Sequence, residues 1–257
     1  MENRNQRDLR KSQHKINRIN QGLGGTMRLA ALVSGGKDSA LALNRALQEG
    51  HQITFLVSLV PKRKDSWMFH FPNIHLTEMF AEAAEIQLIK RDTSGIKEAE
   101  LADLRLALET LDVEGVVSGA IASQYQKERI EEVCRELNLR SFTPLWYQDP
   151  IKLLEELLHL KFKVVFTGVS AYGFNEKWLG SSLSAETIRA LTDLQSKHQI
   201  SPVGEGGEYE TLVLDAPFFK RRIRLVETEI VWEKQSGYLH VIKALLVEKQ
   251  TRQNSSQ

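Results

Sequence analysis

Hydrophobic residues after the first 26 positions alternate between two spacings, one typical of buried strands and one typical of helices. Residues 29–33 form a short run that is apolar throughout, as expected for a strand that is buried on both faces. Ala40, Leu43 and Leu47 then recur at helical spacing, and Gly50 follows as a helix stop. The pattern therefore predicts a strand, a turn and a helix in that order.

The same alternation continues through most of the chain. Further strands are predicted over residues 53–60, 87–90, 115–118 and 163–167. Further helices are predicted over residues 74–85, 96–111 and 130–137, and one more helix begins at Asp149-Pro150. Repeated strand–helix alternation favours right-handed crossovers and an α/β fold with a mostly parallel, doubly wound sheet. In such sheets ligands bind beyond the carboxyl ends of the strands.

The pattern changes after about residue 200, where strand-like segments follow one another. Residues 211–214, 223–232 and 238–247 are rich in β-forming residues, and Ser236-Gly237 is predicted to form a hairpin turn. We expect a disordered leader over 1–26, a nucleotide-binding domain over 27–146, a smaller β-rich C-terminal subdomain over 147–250 and a frayed tail over 251–257.

Composition narrows the class of protein. The 257 residues include 34 Lys plus Arg, 33 Asp plus Glu and a single cysteine, which excludes a disulfide scaffold and a cysteine-based zinc site. Residues 1–26 hold six basic and two acidic residues, so the rest is slightly acidic. We expect a cytoplasmic protein with no membrane segment and no stable contact with nucleic acid, although the leader could be a basic arm for RNA or another partner.

The strongest chemical signal is a polar, glycine-containing loop between the first strand and the first helix. It consists of Ser34, Gly35, Gly36, Lys37, Asp38 and Ser39. Glycines let the backbone approach an anion, and the helix start attracts phosphate. Lys37 suits phosphate oxygens, and Asp38 could hold Mg²⁺ together with phosphates. The spacing differs from that of the Walker loop, because Ala31 stands where that loop has its first Gly, five positions before Gly36-Lys37, and Asp38 follows the Lys.

This loop resembles the pyrophosphate loop of the N-type ATP pyrophosphatases. The resemblance implies a HUP-like ATP pyrophosphatase domain that binds ATP, attaches AMP to an acceptor oxygen and releases pyrophosphate. The superfamily includes ligases for small molecules and enzymes that modify tRNA. The loop alone does not distinguish among them.

Three further segments narrow the resemblance. They are residues 67–78, residues 118–126 and residues 204–211, the last reading Gly-Glu-Gly-Gly-Glu-Tyr-Glu-Thr. Together with the loop they are similar to the diphthine–ammonia ligase family, over about residues 27–223. That resemblance implies ATP-dependent amidation of diphthine on elongation factor 2 with ammonium as the nitrogen source.

The resemblance also implies roles for individual residues. Lys37 and Asp38 would be catalytic, Asp38 would hold Mg²⁺, and the loop would bind ATP with Ser118 and Gly119. The substrate would be bound by Glu205, Gly206, Gly207, Glu208, Tyr209 and Glu210. From the residues alone, Glu208 and Glu210 would point the same way on an extended segment. Such carboxylates could hold a cationic substrate, orient ammonium or bind Mg²⁺.

Several alternatives stay open at this stage. The acceptor could be another carboxylate, another small molecule or a tRNA, and a nucleotide-binding sensor without turnover is a third possibility. A tRNA thiolase is disfavoured because Cys134 lies on the apolar stripe of a helix. His70 and His75 could lie near the site mouth, and the chain could form a homodimer. The sequence departs from the family pattern at Ser181, where an Arg is usual.

Overall fold

A computed structural model of the chain describes residues 25–61, 73, 76–93 and 97–249. The predictions for nearly all of the leader, for the tail, for His70 and for His75 lie outside the described residues. Among the described residues, no helix is both long enough and apolar enough to cross a membrane.

The first half of the chain alternates strands and helices as predicted. Its elements are β1 (Arg28–Leu32), α1 (Lys37–Gln48), β2 (Gln52–Pro61), α2 (Thr77–Ala84), β3 (Gln87–Thr93), α3 (Lys97–Leu108), β4 (Gly115–Val117), α4 (Gln124–Glu136) and β5 (Arg140–Phe142). The second half contains α5 (Pro150–His159), β6 (Lys163–Val169), a 3₁₀ turn (Glu176–Trp178), α6 (Ala185–His198), β7 (Tyr209–Asp215), β8 (Arg221–Glu233) and β9 (Ser236–Glu248).

The five strands of the first half form one parallel sheet in the order β3-β2-β1-β4-β5. Every pairing in it is parallel. Leu29 and Ala31 of β1 pack into one core with Phe80 of α2. Ala30, between them, packs on the other face with Val133 of α4. Helices therefore cover both faces, and the predicted α/β fold with a doubly wound parallel sheet is confirmed.

The last four strands form a second sheet, in the order β7-β6-β9-β8, whose pairings are antiparallel. The prediction that β6 continues the parallel alternation was therefore wrong. Strand β6 is apolar almost throughout because it is covered on both faces, and a buried central strand of either kind gives that pattern.

Among the described residues, one strand and one α-helix were not predicted. Strand β5 spans three residues, too few to show any periodicity. Helix α6 buries only Ile188 and Leu191, so its apolar stripe is weak. A capping box between Ser184 and Thr187 does mark its start. Because Thr187 replaces the usual Glu or Gln of that motif, the sequence signal is faint.

The hairpin turn between β8 and β9 lies two residues earlier than predicted. Lys234 and Gln235 form it, and Lys234 takes the left-handed conformation with a φ of 54°. Ser236-Gly237 instead begins β9. Gly237 is needed there for close approach, since a Cβ atom would come within 2.8 Å of the Val231 carbonyl oxygen and would also collide with the Trp232 ring.

Polar side chains tie the two halves of the fold together. Arg45 of α1 pairs with Glu156 of α5 and donates to the Pro144 carbonyl over 2.8 Å. Asn73 is buried, and its amide group donates to and accepts from the backbone of β9 at 2.9 and 3.0 Å. The second sheet is thereby held against the carboxyl ends of the parallel strands.

Replacing Gly237 with Ala tests the close approach in the hairpin. We expect Gly237→Ala to lower the free energy of unfolding by about 1–3 kcal/mol, because the added methyl group overpacks the Trp232 ring. Urea denaturation measures the change. Ser236→Ala, an exposed neighbour, is the matched control and should cost little. Equal stability of both variants would show that Gly237 serves no packing purpose.

Candidate active site

The predicted phosphate loop lies between β1 and α1, at the carboxyl end of the central parallel strand. Gly35 has a φ of 84°, a conformation that glycine adopts without steric cost. Helix α1 has no side-chain cap at its N-terminus, so its dipole and first amides face the loop. The Ser39 hydroxyl donates to the Gly36 carbonyl over 3.1 Å. This arrangement is suited to binding a phosphate group.

Strand β7 of the second sheet braces this loop from the outside. The amide of Val213 donates to the Gly35 carbonyl over 2.9 Å. The amide of Lys37 donates to the Thr211 hydroxyl over 3.2 Å. Sequence reasoning missed Thr211, because nothing local indicates that a residue 174 positions away meets the loop.

Lys37 is almost fully buried, with 3% of its surface exposed. Its ammonium group donates to Asp38 over 2.9 Å, donates to the Val203 carbonyl and lies 4.9 Å from the centre of the Tyr209 ring. Burial by itself would lower the pKa of Lys37, but the negative charges of Asp38 and Glu210 outweigh burial and hold the pKa above its ordinary value. The Lys37 side chain therefore stays positively charged beside the loop at neutral pH.

Glu210 lies on β7, opposite Gly168 of β6. A Cβ atom on Gly168 would come within 3.2 Å of the Glu210 Cβ, so the glycine leaves room for this side chain. Burial raises the pKa of the Glu210 carboxyl, the Lys37 ammonium opposes the rise, and the charge of Asp38 adds to it. Glu210 is thus a carboxyl group whose protonated form is favoured by its surroundings.

The loop after β4 meets the phosphate loop, as the sequence predicted for Ser118 and Gly119. A Cβ atom on Gly119 would come within 2.7 Å of the backbone of Asp38 and Ser39, so only glycine permits this contact. The Ser118 hydroxyl is buried and has no hydrogen-bond partner among the described residues. An unpaired buried hydroxyl at the end of a parallel strand is suited to a ligand contact.

The segment of residues 204–210, here called the glutamate-rich loop, is joined by Glu205 to the residues just before α4. Its carboxylate accepts hydrogen bonds from the amides of Ile121, Ala122 and Ser123, the first and last over 3.1 and 2.8 Å. Burial raises the pKa of Asp38, Lys37 opposes the rise, and the charge of Glu205 adds to it. Glu205 therefore lies close to the centre of the site, and its carboxylate fixes the loop.

Glu208 and Tyr209 are also held within the glutamate-rich loop. The Glu208 carboxylate accepts from the amides of Ser201 and Gly206 over 2.7 and 2.8 Å. The Tyr209 hydroxyl donates to the Pro202 carbonyl over 2.6 Å. Strand β7 begins at Tyr209, so the expectation that Glu208 and Glu210 share one extended segment was wrong. Of the three glutamates, Glu210 is the one whose charge acts on Lys37.

A cleft of about 600 Å³ opens on the far side of this loop. Val203 and Glu205 line it; the Val203 carbonyl accepts a hydrogen bond from the Lys37 ammonium group, and the charge of Glu205 acts on Asp38. The start of α4, the segment around Tyr147 and the end of α6 form its other walls. The cleft is therefore the space next to the phosphate loop in which a second substrate has room.

A magnesium ion at this site would need oxygen ligands from the nucleotide phosphates as well as from the protein. Among the described residues, no group of three or more His, Cys, Asp and Glu side chains is placed to hold a metal. The Asp38 side chain is 35% exposed, and its Oδ2 atom is taken by Lys37. Mg²⁺ at nucleotide sites commonly takes one or two carboxylates plus phosphate oxygens, and Asp38 fits that arrangement.

Comparison with known families decides among the enzymes that carry such a loop. Two family models match the chain: the diphthamide synthase N-terminal domain over residues 27–141 and the diphthamide synthase C-terminal domain over residues 149–247. The chain belongs to the diphthamide synthase family.

Curated relatives in this family carry one name. A diphthine–ammonia ligase from Mus musculus is 35% identical, over 84% of this chain and 89% of its own length. Another from Schizosaccharomyces pombe is 36% identical over 84% of this chain, which spans only 39% of that longer protein. The resemblance to the diphthine–ammonia ligase family, and with it the expected ligase class, is confirmed.

A solved structure, described as a predicted subunit of tRNA methyltransferase from Methanocaldococcus jannaschii, is 15% identical with a TM-score of 0.40. It covers 74% of this chain and 99% of its own. This likeness is too low to bear on function.

The predicted site residues of this diphthamide synthase family member come together from three places. The phosphate loop, Ser118 with Gly119, and the glutamate-rich loop all surround Lys37 and Asp38. The Ser181 hydroxyl donates to the Trp178 carbonyl over 2.7 Å, a hydrogen bond within its own turn rather than to the site. Sequence reasoning gave no role to Thr211, although it ends the segment 204–211, and it missed Val203 and Tyr147, which belong to no motif.

The raised pKa of Glu210 predicts a pH-dependent gain in stability when its charge is removed. The folded state holds the Glu210 proton to higher pH than the unfolded chain, so this contribution to stability is lost as pH rises through the raised pKa. Glu210→Gln should therefore melt at a higher temperature than wild type at pH 8, and the difference should vanish near pH 4. Glu233→Gln, at an exposed position, is the control; a Glu210→Gln gain that is equal at both pH values would contradict the assignment.

Proposed function

We propose that this chain is a diphthine–ammonia ligase, which uses ATP and ammonium to amidate diphthine on elongation factor 2 and releases AMP and pyrophosphate. The observation that carries the proposal is the buried Lys37–Asp38 pair beside an uncapped helix start, in a member of the diphthamide synthase family. The names of the relatives supply the acceptor and the nitrogen source.

The first half-reaction would join the acceptor to AMP. A carboxylate oxygen of diphthine attacks the α-phosphorus of ATP, and the bond to the β-phosphate oxygen breaks, so that pyrophosphate leaves. The phosphate loop would hold the β- and γ-phosphates on its amides and on the dipole of α1. Lys37 would neutralise the charge that develops on the leaving pyrophosphate. Mg²⁺, held by Asp38 and the phosphates, would supply further positive charge at that position.

The second half-reaction would replace AMP with nitrogen. Ammonia attacks the carbonyl carbon of the acyl adenylate, the bond to AMP breaks, and one proton leaves the nitrogen. Glu210 is suited to accept that proton, because its surroundings favour the protonated carboxyl group. In its ionised form, Glu210 would also attract an ammonium ion before that ion loses a proton to become ammonia.

Other chemistries of the superfamily are less well supported by these residues. A thiolase needs reactive cysteine, whereas Cys134 is 1% exposed and packs among the apolar residues of α3 and α4. Burial raises the pKa of Cys134 to about 11, so the thiolate is scarce at neutral pH. A sensor without turnover would bind nucleotide but release no AMP and pyrophosphate, so product analysis distinguishes it from a ligase.

Removing the Lys37 ammonium tests the ATP chemistry. We expect Lys37→Ala to lower turnover about 10²-fold or more, because a cation that stabilises the leaving pyrophosphate is lost. Chromatography of nucleotide products in the presence of diphthine-form elongation factor 2 measures AMP and pyrophosphate. Lys163→Ala, at an exposed strand end, is the matched control. Release of ADP and phosphate by wild type would refute the proposed reaction.

The nitrogen donor is predicted to be free ammonium rather than glutamine. Glutamine hydrolysis usually needs an activated nucleophile such as cysteine, and the buried Cys134 is the chain's one cysteine. Ammonium chloride should therefore support amidation by purified protein at neutral pH, and glutamine should not. Mass spectrometry of the acceptor detects the amide. Cys134→Ser should lose stability yet keep ammonium-dependent turnover; glutamine-driven amidation that disappears in Cys134→Ser would overturn this assignment.

A further inference from the structure

The cleft beyond the glutamate-rich loop has a consistent chemical character. Its described lining includes the carboxylates of Glu205 and Glu208 and the amide side chains of Gln195 and Gln199. None of the described residues that line it is Lys, Arg or His. Both carboxylates accept hydrogen bonds from backbone amides, which hold them in place at the cleft. The cleft therefore favours a cationic ligand and disfavours an anionic one.

Tyr147 stands at the cleft in an unusual conformation. Its φ is 52°, in the left-handed region that bulky residues seldom occupy. Its amide donates to the Ile121 carbonyl over 2.7 Å, and its ring lies edge-on to Trp146 at 4.8 Å between centroids. Even so, 68% of the residue is exposed. The fold thus fixes the backbone of an aromatic residue and leaves its ring open to solvent at the cleft.

An aromatic face and fixed carboxylates are the usual recognition elements for a quaternary ammonium group. The cleft, of about 600 Å³, is an open depression with room for a small cationic group. Val203 connects the cleft to the Lys37 ammonium group. A group bound in the cleft would therefore lie next to Val203, whose carbonyl oxygen contacts the Lys37 ammonium group, and would be accessible from solvent, as a side chain carried by another protein requires.

We propose that this cleft binds the trimethylammonium group that the diphthine side chain of the acceptor protein carries, with Tyr147 as its aromatic contact and the carboxylates of Glu205 and Glu208 as the source of the negative field. The assignment rests on the proposed function for the identity of the acceptor. It extends the acceptor site beyond the glutamate-rich loop to the segment around Tyr147 and to the end of α6.

Glycine betaine, which carries a trimethylammonium group beside a carboxylate, is the probe for a binding test that needs no turnover. Saturation-transfer NMR on the full chain reports contact through the methyl protons. Tyr147→Asn removes the ring while keeping a residue that tolerates the left-handed conformation, so the fold is retained. Tyr172→Asn is the matched control, because Tyr172 is 70% exposed and does not line the cleft.

We expect betaine to bind Tyr147→Asn about threefold to thirtyfold more weakly than wild type, the range that one cation–aromatic contact supplies. Tyr172→Asn and Tyr147→Phe should bind as wild type does. Equal binding by Tyr147→Asn and wild type, or no methyl saturation with wild type, would overturn the assignment. If binding follows the expectation but wild type amidates no diphthine-form elongation factor 2, the cleft assignment stands and the proposed function fails.

Discussion

The rest of the site depends on the burial of one positive charge, the ammonium group of Lys37. A buried charge is costly unless hydrogen bonds and an opposite charge compensate for it. Asp38 supplies the charge, Val203 supplies a carbonyl oxygen, and Tyr209 supplies an aromatic face. Because Val203 and Tyr209 come from the second half of the chain, the phosphate loop acquires its full set of partners only when both sheets have formed.

Much of the fold could be predicted from sequence because its signals are local. The run over residues 29–33 and the helical spacing of Ala40, Leu43 and Leu47 each report on a single element. The antiparallel direction of β6 has no such signal, because a strand that is covered on both faces has the same apolar pattern in parallel and antiparallel sheets. Helix α6 was missed for a related reason, as a helix that buries two residues leaves little periodicity.

The site shows the same division between local and distant causes. The loop from Ser34 to Ser39 is recognisable because its residues act together where they stand in the chain. Glu205 stays a predicted substrate ligand, whereas its hydrogen bonds to the segment just before α4 span 82 to 84 residues, and no spacing in the sequence reveals that contact. Tyr147 gave no signal, because its backbone conformation is imposed by tertiary contacts rather than by its own preference.

Strand β7 contributes both a backbone amide and a side-chain hydroxyl to the phosphate loop, and successive residues of a strand face opposite sides. A slip of β7 by one residue would replace Thr211 with a neighbour whose chemistry is different. If Glu210 took its place, a carboxylate would replace the hydroxyl that accepts the hydrogen bond from the Lys37 amide. The strand register in one sheet is therefore a chemical determinant of a loop in the other, because one slip would change both the charge beside that loop and the side chains that β7 buries.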